Sequence, residues 1–206
     1  MMRPVFLIAA LLLLSTPAPA PAADLDALLA ALRQPPPLSQ PFQEVRFRRA
    51  LKAPLVTSGT LAWLGGLEFE RRIETPYRET GVVSGRTLVV RRDRGAERII
   101  PLARAPELQV LFGGLSALFG GDVQALREAF EIELEGGETW RLLLRPRQPA
   151  LQARVAQLEL RGSGGEARCL VLQQEGADTL TVFTDQPLDL AAGDFAAVVD
   201  GQCPQP

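Results

Sequence analysis

The sequence predicts a mainly β protein: a strongly curved antiparallel sheet of about ten strands with helices covering its concave face. Three observations carry this. Short runs of alternating apolar and charged residues follow one another across tight turns through the first half of the chain. Near residue 106 the apolar spacing switches to three and four, and beyond residue 130 hairpin patterns resume. Strands that follow one another without helices between them describe a meander rather than βαβ units.

In chain order, Asp24 is placed to cap a short helix with Leu25, Leu28, Leu29 and Leu32 on one face, and Pro35-Pro36-Pro37 stops it. The first strand alternates Val45 and Phe47 with Glu44, Arg46 and Arg48, giving one apolar and one charged face. Leu61 and Trp63 repeat the pattern beyond Ser58-Gly59-Thr60, and Phe69, Arg71 and Ile73 alternate with Glu70, Arg72 and Glu74. Residues 77–83 and 87–92 form a further hairpin around Ser84-Gly85, and 98–102 adds a strand. A meander with one apolar face needs a partner layer, which is a second sheet, a cover of helices or a ligand.

Over residues 106–119, Leu108, Leu111, Phe112, Leu115, Leu118 and Phe119 recur at helical spacing. Gly113-Gly114 interrupts this helix at a cost of up to about 1 kcal/mol per glycine, which makes it the element easiest to move. Gly120-Gly121 closes it, and Asp122 caps a second helix carrying Val123, Leu126 and Phe130. Strands return at 131–135 and at 139–145, where Trp140, Leu142 and Leu144 share a side. Further strands at 154–161, 167–173 and 179–184 complete the pattern.

Residues 1–23 read as a signal peptide: Arg3, an apolar run over 6–14, and small residues ending at Ala22-Ala23. The run is too short to span a bilayer, which takes about 20 apolar residues, and no cysteine follows it for lipid anchoring. What remains, 24–206, is the length of one domain and large enough to bury a core unaided. Export places Cys169 and Cys203 in an oxidising compartment, where an even pair is more often bridged than free; two unpaired thiols are the alternative.

With 22 basic against 24 acidic residues, the chain has no basic surplus for nucleic acid. It contains no histidine, which excludes a Ser-His-Asp triad, a Cys-His pair and any histidine metal site. The carboxylates Glu131, Glu133 and Glu135 lie two apart on a strand beside a turn, facing solvent. The glycine-rich turn around Gly162, Gly164 and Gly165 joins strand to strand and is a poor phosphate cradle. No catalytic residue, metal site or cofactor is assigned, and the expectation is a non-enzyme.

The chain resembles the periplasmic outer-membrane lipoprotein carriers (LolA-like) and their relatives in lipid and polyene export. The resemblance rests on Phe42-Gln43, on Ser58-Gly59-Thr60-Leu61 leading to Phe69, and on Thr75-Pro76-Tyr77. Gly85, and Leu118-Phe119-Gly120-Gly121-Asp122 before Leu126, complete it, over roughly residues 25–184. It implies a half-open β-barrel with a helical lid, whose hydrophobic interior shields the acyl chains of a lipid or lipoprotein on the way to the outer membrane. It also implies periplasmic localisation, an inner-membrane donor transporter, an outer-membrane acceptor, transient membrane contact and a monomer. A lipid-sensing module on the same scaffold, signalling to an envelope protein, is the alternative.

On that resemblance Phe47, Leu61, Trp63, Phe69, Ile73, Leu88 and Val90 of the strands line the cavity, with Leu111, Phe112, Leu115, Leu118 and Phe119 of the lid. Read from the residues alone, the same side chains serve equally as a core packed directly under the helix. Arg46, Arg71 and Arg72 are candidates for contact with a head group or partner. The plainer reading makes them a solvated sheet face paired with glutamates. The family carries an Arg-Pro pair after the second strand whose arginine latches the lid; this chain has Gly65-Gly66 there, so its latch must differ.

Overall fold

A computed structural model describes residues 24–191 and 193–206; the expected signal peptide, 1–23, lies outside them. Five helices and eleven strands run in the order α1 (Leu25–Leu32), β1 (Leu38–Arg48), β2 (Leu55–Gly65), β3 (Glu68–Thr75), β4 (Glu79–Ser84), β5 (Thr87–Arg92), β6 (Arg98–Pro101), α2 (Pro106–Gly120), α3 (Val123–Ala129), β7 (Phe130–Gly136), β8 (Thr139–Pro146), α4 (Pro149–Gln152), β9 (Val155–Ser163), β10 (Glu166–Gln174), β11 (Ala177–Val182) and α5 (Phe195–Gln202). All strands form one sheet, ordered β6-β5-β4-β3-β2-β1-β11-β10-β9-β8-β7. Every neighbouring pair is antiparallel. The sheet therefore consists of two meanders joined where β1 meets β11, and β6 and β7 remain unpaired edges.

The helix ends follow the local chemistry. Asp24 Oδ1 accepts from the backbone of Asp26 at 3.0 Å, and Asp122 from that of Ala125 at 2.9 Å, each meeting an N–H that the first turn leaves unsatisfied. α2 ends on Gly121, whose φ of 71° is left-handed and open to glycine at little cost. Gly113 and Gly114 lie inside one continuous helix rather than dividing it. Gly114 has a packing reason: a Cβ there would stand 3.2 Å from Leu158 Cδ2 and 3.4 Å from Phe130 Cζ, whereas at Gly113 it would meet nothing.

The sheet has an apolar layer on each side. Its concave face packs Trp63, Phe69, Val83, Leu142, Leu144, Leu158 and Leu160 against α1, α2 and α3. On the convex face Val45, Val171, Leu180 and Val182 are covered by Val198 and Val199 of α5. The expectation of three helices overlooked α4 and α5. α5 is the consequential omission, because it provides a second apolar layer and thereby reverses β1: Val45 and Phe47 face outward, under α5, while Glu44 and Arg46 point into the concave side.

Cys203, just beyond α5, is bonded to Cys169 on β10 across a separation of 34 residues, with Cα atoms 5.8 Å apart. Beside that bond lies a buried convex ion cluster. Glu159 accepts from Arg161 at 2.5 Å and from Arg141 at 3.0 Å, and Arg161 reaches Asp200 on α5 at 3.1 Å. The hydrogen bond to Glu159 is the main cause that holds Arg141 above its usual basicity.

Candidate functional site

Two cavities lie between α2 and the concave face. The first, of about 290 Å³, is bounded by Leu32, Leu38, Leu61, Trp63, Phe69, Phe119 and Phe183, with Gln34, Gln40 and the start of β10 at its polar side. The second, of about 300 Å³, has an apolar wall of Phe69, Val83, Leu88, Val90, Leu108, Leu111, Phe112, Leu170 and Leu172. Each is at the lower end of the 300–1,000 Å³ range common for small-molecule sites. Phe69 borders both, and its ring meets that of Phe112 with centroids 5.0 Å apart.

The lid is fastened by aromatic contact. Besides Phe69 and Phe112, Trp63 on β2 and Phe119 on α2 approach to 5.7 Å between centroids. Trp63 also donates its indole N–H to the Gly66 carbonyl at 2.9 Å, tying the ring to the β2–β3 turn. That turn needs glycine: Gly65 and Gly66 have φ of 109° and 52°. The two ring pairs are tilted, and aromatic pairs of this kind are worth about 0.5–1.5 kcal/mol beyond their buried area.

The floor of the second cavity is charged. Glu44, only 7% exposed, accepts on Oε1 from Arg46 Nη2 at 2.9 Å and on Oε2 from Thr181 at 3.4 Å, and its Oε1 forms an ion pair with Arg71 Nη2, also at 2.9 Å. Arg71 also reaches Thr57 Oγ1 at 3.4 Å and lies 4.7 Å from the centroid of the Phe42 ring. Register places these groups together, because Glu44 faces Thr57 on β2 and Thr181 on β11, and Leu61 faces Arg71 on β3. At the cavity's edge Glu79 accepts from Arg92 at 2.5 Å, and this hydrogen bond raises the basicity of that exposed guanidinium.

Leu61, Trp63 and Phe119 line the first cavity, Leu88, Val90, Leu111 and Phe112 the second, and Phe69 both. Leu115 and Leu118, at 1% and 0% exposure, are core rather than lining. Ile73 shares the concave face but borders a shallow surface depression with Thr75 and Arg78. Phe47 is corrected outright: it packs against Phe195 of α5, centroids 5.4 Å apart, on the opposite face of the sheet. Arg72 lines neither cavity and pairs with Glu70 on the same strand. Alternation showed that β1 had an apolar face but not which of two apolar layers it met.

Leu38, Leu170, Leu172 and Phe183 line the cavities without having been singled out, and Leu108 of the helical stripe lines the second cavity with them. The signal for Leu170 and Leu172 was the apolar run 169–172 on β10, in which alternate residues face the concave side once α5 claims Cys169 and Val171. Glu131, Glu133 and Glu135 of the outer edge strand face Arg147, Arg145 and Arg141 at 3.9, 3.0 and 3.4 Å, an exposed ladder of ion pairs. Among the described residues no group of three or more His, Cys, Asp or Glu side chains is arranged to hold a metal ion, and no helix is long and apolar enough to cross a membrane.

Residues 17–204 match the family model described as outer membrane lipoprotein carrier protein LolA-like. Among solved structures, a LolA superfamily protein from Nitrosomonas europaea is similar at 12% identity, covering 85% of this chain and 100% of that one, with a TM-score of 0.42. A DUF1329 family protein from Desulfovibrio piger is similar at 10% identity, covering 84% and 97%, with a TM-score of 0.38. LprF from Mycobacterium bovis is similar at 12% identity, covering 80% and 91%, with a TM-score of 0.30. No curated protein sequence matches the chain.

Proposed function

Because this chain belongs to the outer membrane lipoprotein carrier protein LolA-like family, we propose that it is a periplasmic carrier that shelters the acyl part of a lipid or lipoprotein between α2 and the concave sheet and escorts it towards the outer membrane. The supporting observation is the pair of cavities separated by Phe69 and Phe112 under a helix whose middle is Gly113-Gly114. Moving α2 outward parts the Phe69/Phe112 and Trp63/Phe119 contacts and joins the cavities. An entering chain replaces the lost ring contacts, gaining about 0.8 kcal/mol for each methylene taken from water. The leader over residues 1–23 would deliver the chain to the periplasm, and the reading assigns it no catalysis.

Native mass spectrometry of the exported protein, purified without detergent, tests this directly. An adduct of discrete lipid mass, recovered by solvent extraction, is the expected result. A clean protein mass together with no uptake of a fluorescent fatty acid would overturn the carrier reading and leave the concave face filled by its own lid.

A further inference from the structure

We infer that the second cavity takes an amphiphile by its anionic end, a carboxylate or phosphate seating on Arg46 and Arg71 while the attached chain runs along Phe69, Leu111 and Phe112. This rests on the carrier reading and specifies the ligand. The argument begins with a count of charge. Two guanidinium groups share the one carboxylate of Glu44, both at 2.9 Å from the same oxygen. No second carboxylate among the described residues comes within 4.0 Å of either. Of the remaining charges that line the cavity, Glu79 is neutralised by Arg92 from outside the lining, while the exposed Arg48 and the half-buried Glu107 add one charge of each sign without pairing. The floor is therefore left with one positive charge in excess.

Donor geometry agrees with the count. Each guanidinium carries five N–H donors. Glu44 takes one from Arg46; Thr57 is the side-chain acceptor for Arg71, which pairs ionically with Glu44 and lies over the Phe42 ring. The other donors have no acceptor among the described residues, and planar forks of this kind suit carboxylate and phosphate oxygens. As a device for stability the cluster is poor, because a buried ion pair seldom outperforms apolar residues of the same size. A cavity meant for hydrocarbon alone has no use for it. An acyl chain that ends in an anion needs both the apolar wall and the charged floor.

The test compares dodecanoate, dodecyl phosphate and methyl dodecanoate as ligands of the full exported chain by titration calorimetry. Either anion should bind about tenfold more tightly than the uncharged ester, as a net charge-assisted hydrogen bond predicts. The stronger of the two identifies the head group as carboxylate or phosphate. Arg71→Gln should bring the ratio of anion to ester close to one, and Glu44→Gln, which frees both guanidiniums, should raise it several-fold. Arg72→Gln, on the outer face, should change nothing. Equal binding of anions and ester in the unaltered protein, or a ratio indifferent to Arg71→Gln and Glu44→Gln, would overturn the head-group assignment and leave the carrier reading standing. Failure of all three ligands to bind would remove both.

Discussion

Phe69 on β3 and Phe112 on α2 meet with ring centroids 5.0 Å apart, and Phe69 borders both cavities under α2 while Phe112 borders the second. On the carrier reading, movement of α2 away from the sheet would part this contact and join the two cavities. Phe112→Ala should lower stability by about 3 kcal/mol, the low end for a buried phenylalanine because the site already borders open space. It should at the same time strengthen binding of longer acyl probes. Urea unfolding and fluorescent fatty-acid titration read the two effects; a stability loss without a gain in long-chain binding would show that Phe112 is core only.

The two glycines of α2 should respond with opposite signs. Gly113 faces open space, so Gly113→Ala should stabilise by up to about 1 kcal/mol through helix propensity and slow hydrogen exchange across α2. Gly114→Ala places a methyl 3.2 Å from Leu158 and should destabilise despite the same propensity gain. Equal shifts in the two variants would refute the packing role given to Gly114.

Unreduced, denatured protein should show no reactive thiol. Reducing the Cys169–Cys203 bond reopens a 34-residue loop and should cost about 4 kcal/mol in the chain-entropy account, with α5 loosening first. Denaturant unfolding with and without reductant measures the cost, and proteolysis at 193–206 measures the loosening. No difference between the two conditions would mean that α5 is held by its apolar face alone.

Glu159 is 3% exposed and is shared by Arg161 and Arg141. Glu159→Gln should destabilise by about 3 kcal/mol or more, because it strands buried positive charge. Thermal unfolding within 1–2 °C of the unaltered protein would count against this.

Asp178 on β11 supplies a pH dependence. Partial burial lifts its carboxyl above the ordinary 3.8, against the opposing pull of the Gln174 backbone and Arg49. The folded state therefore holds this proton more tightly than the unfolded one, and the contribution is lost as pH rises from about 3.8 through the raised value. Asp178→Asn should be at least as stable as the parent at neutral pH, with any advantage fading below 3.8. A loss of stability confined to neutral pH would reverse the sign.

Much of this architecture is legible in the residues, and what is not has a physical cause. The stripe from Leu108 to Phe119 and the caps at Asp24 and Asp122 are local signals, and the structure puts helices there. Leu61, Trp63, Phe69, Leu88 and Val90 share one face by alternation along their strands, and all reach a cavity. Phe47 alternates just as regularly and lands under α5, since a period of two identifies a face without saying what covers it. The missing clue was Phe195, Val198 and Val199 behind Asp194, a capped helical stripe in a tail otherwise rich in proline and glycine. Once that stripe is recognised, Glu44 and Arg46 must point inward, and the charged floor follows.

The pairing of β1 with β11 sets an order of events. Gln43 lies opposite Val182, with most of the chain between them, so the middle of the sheet is assembled from its first and last strands. Neither meander encloses the space on its own, and local contacts cannot substitute for a junction that closes so large a loop. Folding should accordingly be slow for the chain's size, and a copy truncated before β11 should retain no binding at all. The space beneath α2 is enclosed only once the final strand has arrived.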